Sequence, residues 1–267
     1  MSWDNDGQRL WTGKDFIEYV KLRWGNPLFR RNCCWYSTGS IVSCDTGKVV
    51  ALLEGLELGM VKSISQPSSN QATVEALVSS KKLYFLKDPV TGKYWTERDS
   101  KRVNPMFYPQ QDTLVTWNSH SVELKRNFSV ACKTLGARII DMASIRVYSL
   151  PTFVKLRSKK AGYISTLERY DLYRYSNIFS RFFTSPILSW TRYGDCPAWY
   201  GKGKCASYLV SKKLNNIQSL PKDFMSQVRS YDPLFLQQPL LSDGNDLSNN
   251  DEDSRRRLLG ERRFLSK

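Results

Sequence analysis

The sequence predicts a mainly β protein: an antiparallel curled sheet or barrel, calycin-like, with short flanking helices. Three observations carry that expectation. Short runs rich in Val, Ile, Tyr, Phe and Trp recur from about residue 32 to 211, and such side chains fit a pleated, half-buried surface. Turn signals separate them, most clearly Asp45-Thr46-Gly47-Lys48 and Asp88-Pro89-Val90-Thr91-Gly92. In the second, Asp88 can bond backbone donors ahead of it, Pro89 pre-sets its φ and Gly92 takes a positive φ without steric cost. Aromatics make up 13% of the 267 residues, and that much aromatic strand material needs its edges covered or closed.

Residues 1–12 form a polar arm carrying Trp3 and Trp11. Thr12 caps a short helix with Asp15 in its first turn, Phe16, Ile17, Tyr19 and Val20 on its apolar face, and Trp24-Gly25-Asn26-Pro27 as its stop. Strands follow at Asn32–Ser43 and Val49–Ile64, with Gly55 and Gly59 expected at bulges or bends. Lys81–Glu97 predicts two aromatic strands about a turn. Leu83 and Phe85 face one way, Tyr84 and Leu86 the other, and Tyr94 and Trp95 open the return strand, with Trp95 and Tyr84 on opposite faces. Thr73–Ser79 fits a strand or one helical turn. Glu97–Asp112 is expected as a long loop of the kind that serves as a lid.

Thr113–Leu124 predicts one long strand with His120 on it. Phe128–Cys132, Ala137–Met142, Ile145–Leu150, Thr152–Arg157, Tyr163–Tyr175, Ile187–Tyr193 and Cys205–Ser211 continue the pattern. Pro221 opens a helix whose apolar face is Phe224, Met225 and Val228, stopped at Tyr231-Asp232-Pro233. The expected organisation is therefore the arm at 1–12, a single barrel-like domain at 13–239, and a disordered, acidic-then-basic tail at 240–267.

The formal net charge is +15, and residues 121–213 hold 17 basic against 5 acidic groups. That +12 block is either a solvated face or a docking face for an anionic partner or acidic membrane surface. No run of eighteen apolar residues suggests a transmembrane segment, and the first residues lack the apolar stretch of a signal peptide. The expected compartment is the cytoplasm, or an organelle if a targeting segment has been removed. One histidine and no Cys-x-x-Cys pair argue against a metal, and no cofactor motif occurs: none of the three Thr-Gly-Lys triplets has the upstream glycine of a phosphate loop. The six cysteines fit reduced, partly buried thiols by default, with a Cys196–Cys205 loop in an oxidising compartment as the alternative.

His120 is the one candidate general base. Its helpers across the sheet would be Asp171, Glu168 or Tyr84. Trp35, Trp95, Trp117, Tyr148 and Trp190 are candidate walls of an apolar cavity, against the alternative of plain core packing.

Three stretches resemble the DUF1838 domain-of-unknown-function family: Tyr84–Lys93, Val103-Asn104-Pro105 with Thr113–Asn118, and Leu214–Pro239. The tryptophan before the Asn and the Thr-Gly after the Pro of that family are absent here. The resemblance would span about Phe16 to Pro239, and it implies a fold without an activity. The expected function is binding, and possibly conversion, of a hydrophobic or amphipathic small molecule in a barrel cavity. The alternatives are an enzyme using His120 with a carboxylate on an apolar substrate, and an interaction protein docking an anionic partner through residues 121–213.

Overall fold

The computed structural model describes residues 7–29, 33–65, 73–96, 105–119, 121–126, 130–134, 136–142, 144–158, 162–175, 185–197 and 199–236. Its strands are β1 (Gln8–Leu10), β2 (Cys33–Ser43), β3 (Val49–Ile64), β4 (Thr73–Lys87), β5 (Met106–Asn118), β6 (Val122–Arg126), β7 (Val130–Thr134), β8 (Arg138–Met142), β9 (Ile145–Ser158), β10 (Gly162–Tyr175), β11 (Ile187–Asp195) and β12 (Lys204–Leu214). The helices are α1 (Gly13–Trp24) and α2 (Lys222–Tyr231). The predicted tail at 240–267 and Trp3 lie outside the described residues.

All twelve strands belong to one antiparallel sheet in the order β1-β8-β9-β10-β11-β12-β2-β3-β4-β5-β6-β7, and β7 also pairs with β9. Ladders therefore run round a ring of ten strands, from β9 through β12 and β2 to β7 and back. The first half of β9 pairs with β8 and the second half with β7. Pro151 sits where that neighbour changes, so its missing N–H interrupts neither ladder. This joins the two predicted strands at Ile145–Leu150 and Thr152–Arg157 into one. On β5, only Thr113–Trp117 pairs with β6. The Met106–Asp112 half has no strand neighbour on that edge among the described residues.

Helix α1 is one of the expected short flanking helices, and its buried face packs at one end of the barrel. Thr12 and Asp15 make the expected capping box, and Gly25 at φ 98° ends the helix. Its buried face is Asp15, Phe16, Tyr19, Val20, Arg23 and Trp24. That face packs against inward side chains from around the ring, including Trp35, Val61, Val74, Val115, Tyr148, Leu172 and Leu188. A ten-strand ring is wider than the eight whose side chains fill their own lumen, and the aromatic face of α1 supplies the missing volume. A second cluster closes the other end: Ile41, Leu53, Leu86, Trp95 and Leu209 with the Cys196–Cys205 disulfide. Helix α2 lies outside the ring, with Phe224 and Val228 on Leu56, Leu58, Leu83 and Phe85. Strand β3 is thus buried on both faces, which explains its nearly continuous apolar run.

Several local expectations need correction. Gly55 and Gly59 are not bulges; the register shift falls between Val61 and Ser63. They are inward positions that receive rings, since a Cβ on Gly55 would overlap Tyr84 and one on Gly59 would lie 2.7 Å from Cδ1 of Trp24. Residues 106–112 are strand, not loop. The return arm after Gly92 (φ 68°) is a single bridge, Lys87 to Tyr94. Out of ladder register, Trp95 turns inward beside Leu86 and so joins the same cluster as Tyr84 instead of the opposite face. Thr113–Leu124 is two strands. The chain reverses between Asn118 and Ser121, where the Asn118 carboxamide oxygen accepts the Ser121 N–H at 2.8 Å.

Candidate functional site

Midway along the lumen, between the two apolar ends, the inward positions turn polar. Ladder partners share a face, so Ser37, Glu57, Lys82, Tyr84, Thr113, Thr152, Glu168, Tyr170, Trp190 and Arg192 all point inward. Several keep accessible surface there: the side chains of Glu168, Lys82 and Arg192 are 14%, 20% and 34% exposed. Tyr108, paired with Lys82 on β5, is 48% exposed.

One side of the belt is built on β3, where the inward sequence reads Gly55, Glu57, Gly59. The Tyr84 ring lies over the first glycine and the Trp24 ring over the second, framing the Glu57 carboxylate between them. Arg23, reaching in from the last turn of α1, donates from Nη2 to Glu57 at 2.5 Å, and Lys82 stands 3.5 Å away. Both partners of the Arg23–Glu57 pair are almost fully buried, so each is costly without the other. Burial would raise the Glu57 carboxyl, but Arg23 and Lys82 overcome it and hold it below the usual range. The Arg23 guanidinium carbon is 5.2 Å from the Trp35 ring centroid and 5.5 Å from that of Trp24. Trp35 Nε1 donates to the Arg23 carbonyl oxygen at 2.8 Å, and Lys213 Nζ donates to that of Leu22 at 2.7 Å. These two bonds tie the end of α1 to the barrel wall.

Across the ring, on β10 and β11, Glu168 is the acceptor. Tyr170 Oη donates to it at 2.7 Å and Trp190 Nε1 at 3.1 Å, while Arg192 Nε lies 4.0 Å away. Tyr84 links the two sides. Burial raises its phenol first, and Glu57 and Glu168 raise it further. It therefore stays protonated in the neutral range.

The belt gathers Tyr84, Glu168 and Trp190 from the sequence-predicted residues, with Trp35 at its border. Trp117 and Tyr148 face the lumen as expected, but they pack against α1 in the apolar end; Trp117 carbons lie within 3.3–3.7 Å of a Cβ built on Gly13. Trp95 belongs to the opposite end, edge-on to Trp199 at 5.1 Å. Asp171 is turned away from Tyr84 to the outer face of β10, where Arg169 holds its carboxylate at 2.8 Å. His120 lies outside the described residues. Sequence reasoning missed Glu57, Arg23 and Lys82, whose only local signal was the pair of acidic residues, Glu54 and Glu57, in an otherwise largely apolar strand.

A second concavity, a cleft of about 750 Å³, lies outside the barrel between α2 and the Asp88–Gly92 turn, lined by Phe85, Lys87, Tyr94, Trp95, Ser226 and Tyr231. Behind it Glu54 accepts from Tyr36, from Tyr94 at 2.5 Å and from Lys87 at 2.6 Å. Those bonds satisfy the carboxylate and tie β2, β3 and β4 to the turn, which is a structural role. Among the described residues no group of three or more His, Cys, Asp or Glu is placed to hold a metal. Comparison with known proteins finds no family model, no curated protein and no solved structure that matches this chain.

Proposed function

We propose that the barrel binds an amphipathic small molecule in its lumen. The observation that carries this is the belt of inward polar side chains that keep accessible surface between two apolar clusters. Small-molecule sites are concave and mostly apolar, with a few fixed polar groups that orient the ligand. Here the rings of Tyr84, Trp35 and Trp190 supply the apolar walls, and the Glu57 and Glu168 clusters supply the orienting groups. The basic block is less suited to docking. Among its described arginines, Arg146 pairs with Asp141, Arg169 with Asp171 and Arg174 with Glu18, and Arg192 lies near Glu168. Among the described residues no helix is long and apolar enough to cross a membrane.

The test is native mass spectrometry of protein purified without detergent, followed by solvent extraction and identification of the released compound. A bound organic molecule in the parent, lost or strongly depleted in a folded Trp190→Ala variant, is the expected result. A parent that carries nothing and binds nothing from a lipid and metabolite extract overturns the proposal.

A further inference from the structure

We propose that the outer cleft between α2 and the Asp88–Gly92 turn is a second binding site, separate from the lumen, and that its ligand is an uncharged saccharide. The cleft measures about 750 Å³, within the range of small-molecule sites. One wall is a single face of α2. Asp223, Ser226, Gln227, Ser230 and Tyr231 line it, at the three- and four-residue spacing of helix neighbours. This face lies beside the Phe224 and Val228 face that α2 buries on the sheet. Among the described residues the side chains of Ser226, Gln227 and Ser230 form no hydrogen bond. Each of the three can both donate and accept.

The opposite wall is held from behind. Lys87 and Tyr94 both line the cleft, and the buried Glu54 carboxylate accepts from Lys87 Nζ at 2.6 Å and from Tyr94 Oη at 2.5 Å. Lys87 Nζ also lies 4.4 Å from the Tyr94 ring centroid. Side chains locked by such a supporting shell present a ready-made surface to a ligand. Tyr94 on this wall and Tyr231 on the helix each stand edge-on to Phe85, with ring centroids 5.8 and 6.4 Å away. Aromatic surface therefore borders both walls.

Charge selects the class of ligand. Lys87, Lys93 and Asp223 line the cleft, and Glu54 neutralises Lys87. Lys93 and Asp223 then balance. An ionic ligand meets no net counter-charge here, and taking a charge out of water without one is costly. A wholly apolar ligand would cover the serine and glutamine groups without replacing their bonds to water. A saccharide meets both conditions. It carries no charge, its hydroxyls donate and accept as Ser226, Gln227 and Ser230 do, and its C–H faces lie on aromatic rings.

The probes are a printed array of neutral, sialylated and sulfated glycans and, beside it, decaproline, a peptide of the kind that aromatic-lined grooves take up. The full chain is applied to the array, and the neutral glycan retained most strongly is titrated by calorimetry. Retention on neutral glycans in preference to anionic ones is the expected result. Gln227→Ala combined with Ser230→Ala keeps the helix, because alanine is the best helix former, and should weaken the titrated glycan about tenfold or more. Trp190→Ala, in the lumen, should leave that affinity unchanged. If the double variant does not fold, Gln227→Glu, which keeps the side-chain shape and removes its donors, takes its place. No retained glycan, retention confined to anionic glycans, or an affinity unmoved by these cleft variants overturns the proposal. Decaproline bound more tightly than any neutral glycan assigns the cleft to a peptide and overturns it as well. A glycan whose affinity falls in Trp190→Ala instead of in the cleft variants lies in the lumen, which also overturns the site.

Discussion

Gly55→Ala tests how the floor of the belt is built. A Cβ at Gly55 would overlap two ring carbons of Tyr84 and lie 2.9 Å from a third. The three nearest atoms all belong to one side chain, so the ring must move while the backbone stays. Its freedom is limited: Tyr108 stands edge-on at 6.2 Å, and the Gly55 and Tyr84 backbones are ladder partners. Forcing a ring off its rotamer in a packed interior costs about 1–3 kcal/mol. Replacing glycine within a strand returns about 0.5–1 kcal/mol. The net expectation is a loss of about 1–2 kcal/mol. In a Tyr84→Ala background the overlap is gone, and Gly55→Ala should then stabilise by about 0.5–1 kcal/mol. Urea unfolding of the four proteins, followed by tryptophan fluorescence and far-ultraviolet dichroism, closes the cycle. A Gly55→Ala effect equal in the two backgrounds, within about 0.5 kcal/mol, would refute the placement of the ring on the glycine and the wall drawn from it.

Arg23→Met leaves Glu57 buried beside Lys82 alone and should cost about 3–5 kcal/mol, most of it recovered by adding Glu57→Leu; a double variant no more stable than the single in urea would contradict the ion-pair account. Asp15 gives a pH dependence. Burial would raise its carboxyl, but hydrogen bonds from Arg9 and Thr12 hold it at about 2, below its ordinary 3.8. A depressed folded value means stability that is fully present above about pH 4 and lost as pH falls towards 2, about 2 kcal/mol in all. Asp15→Asn should remove that part of the acid loss, and an unchanged acid profile would count against it. The Cys196–Cys205 bridge closes a loop with a sequence separation of 9. Replacing both with serine should lower stability by about 2–3 kcal/mol, and reductant should bring the parent's urea midpoint to that of the variant. A parent midpoint unmoved by reductant would show that the bond does not constrain the fold.

What the sequence revealed depended on how far apart the cooperating residues lie. Alternation along Leu83–Leu86 is a property of four consecutive residues, and the structure places Leu83 and Phe85 under α2 and Tyr84 and Leu86 in the lumen, as period two requires. The capping box at Thr12 and the positive φ of Gly47 and Gly92 are equally local. The cap formed by α1 was not legible, because an amphipathic helix reads the same on the outside of a barrel as in its mouth. Nor was the reversal at Asn118–Ser121, where alternation on either side of a tight turn looks like one strand. The glycines of β3 misled for a related reason. A missing side chain signals a bend when seen alone, and a seat for a ring only when Tyr84 and Trp24 are known to face it.

The belt illustrates the same limit in electrostatic form. Glu57 shares an apolar run only with Glu54, Arg23 lies 34 residues before it, and Lys82 comes from the next strand. Each by itself passes for a solvated charge. Only the register that pairs Glu57 with both Trp35 and Lys82, together with the helix that carries Arg23 into the mouth, converts three scattered charges into one buried group. The net charge of the sequence pointed outward, to a basic surface between residues 121 and 213. The folded chain engages several of that region's arginines with carboxylates, and it places the Arg23–Glu57 pair where water is scarce. An unbalanced charge there interacts far more strongly than the same charge in solvent. The charges most sensitive to a single substitution are therefore in the interior, although most of the positive charge lies elsewhere in the sequence.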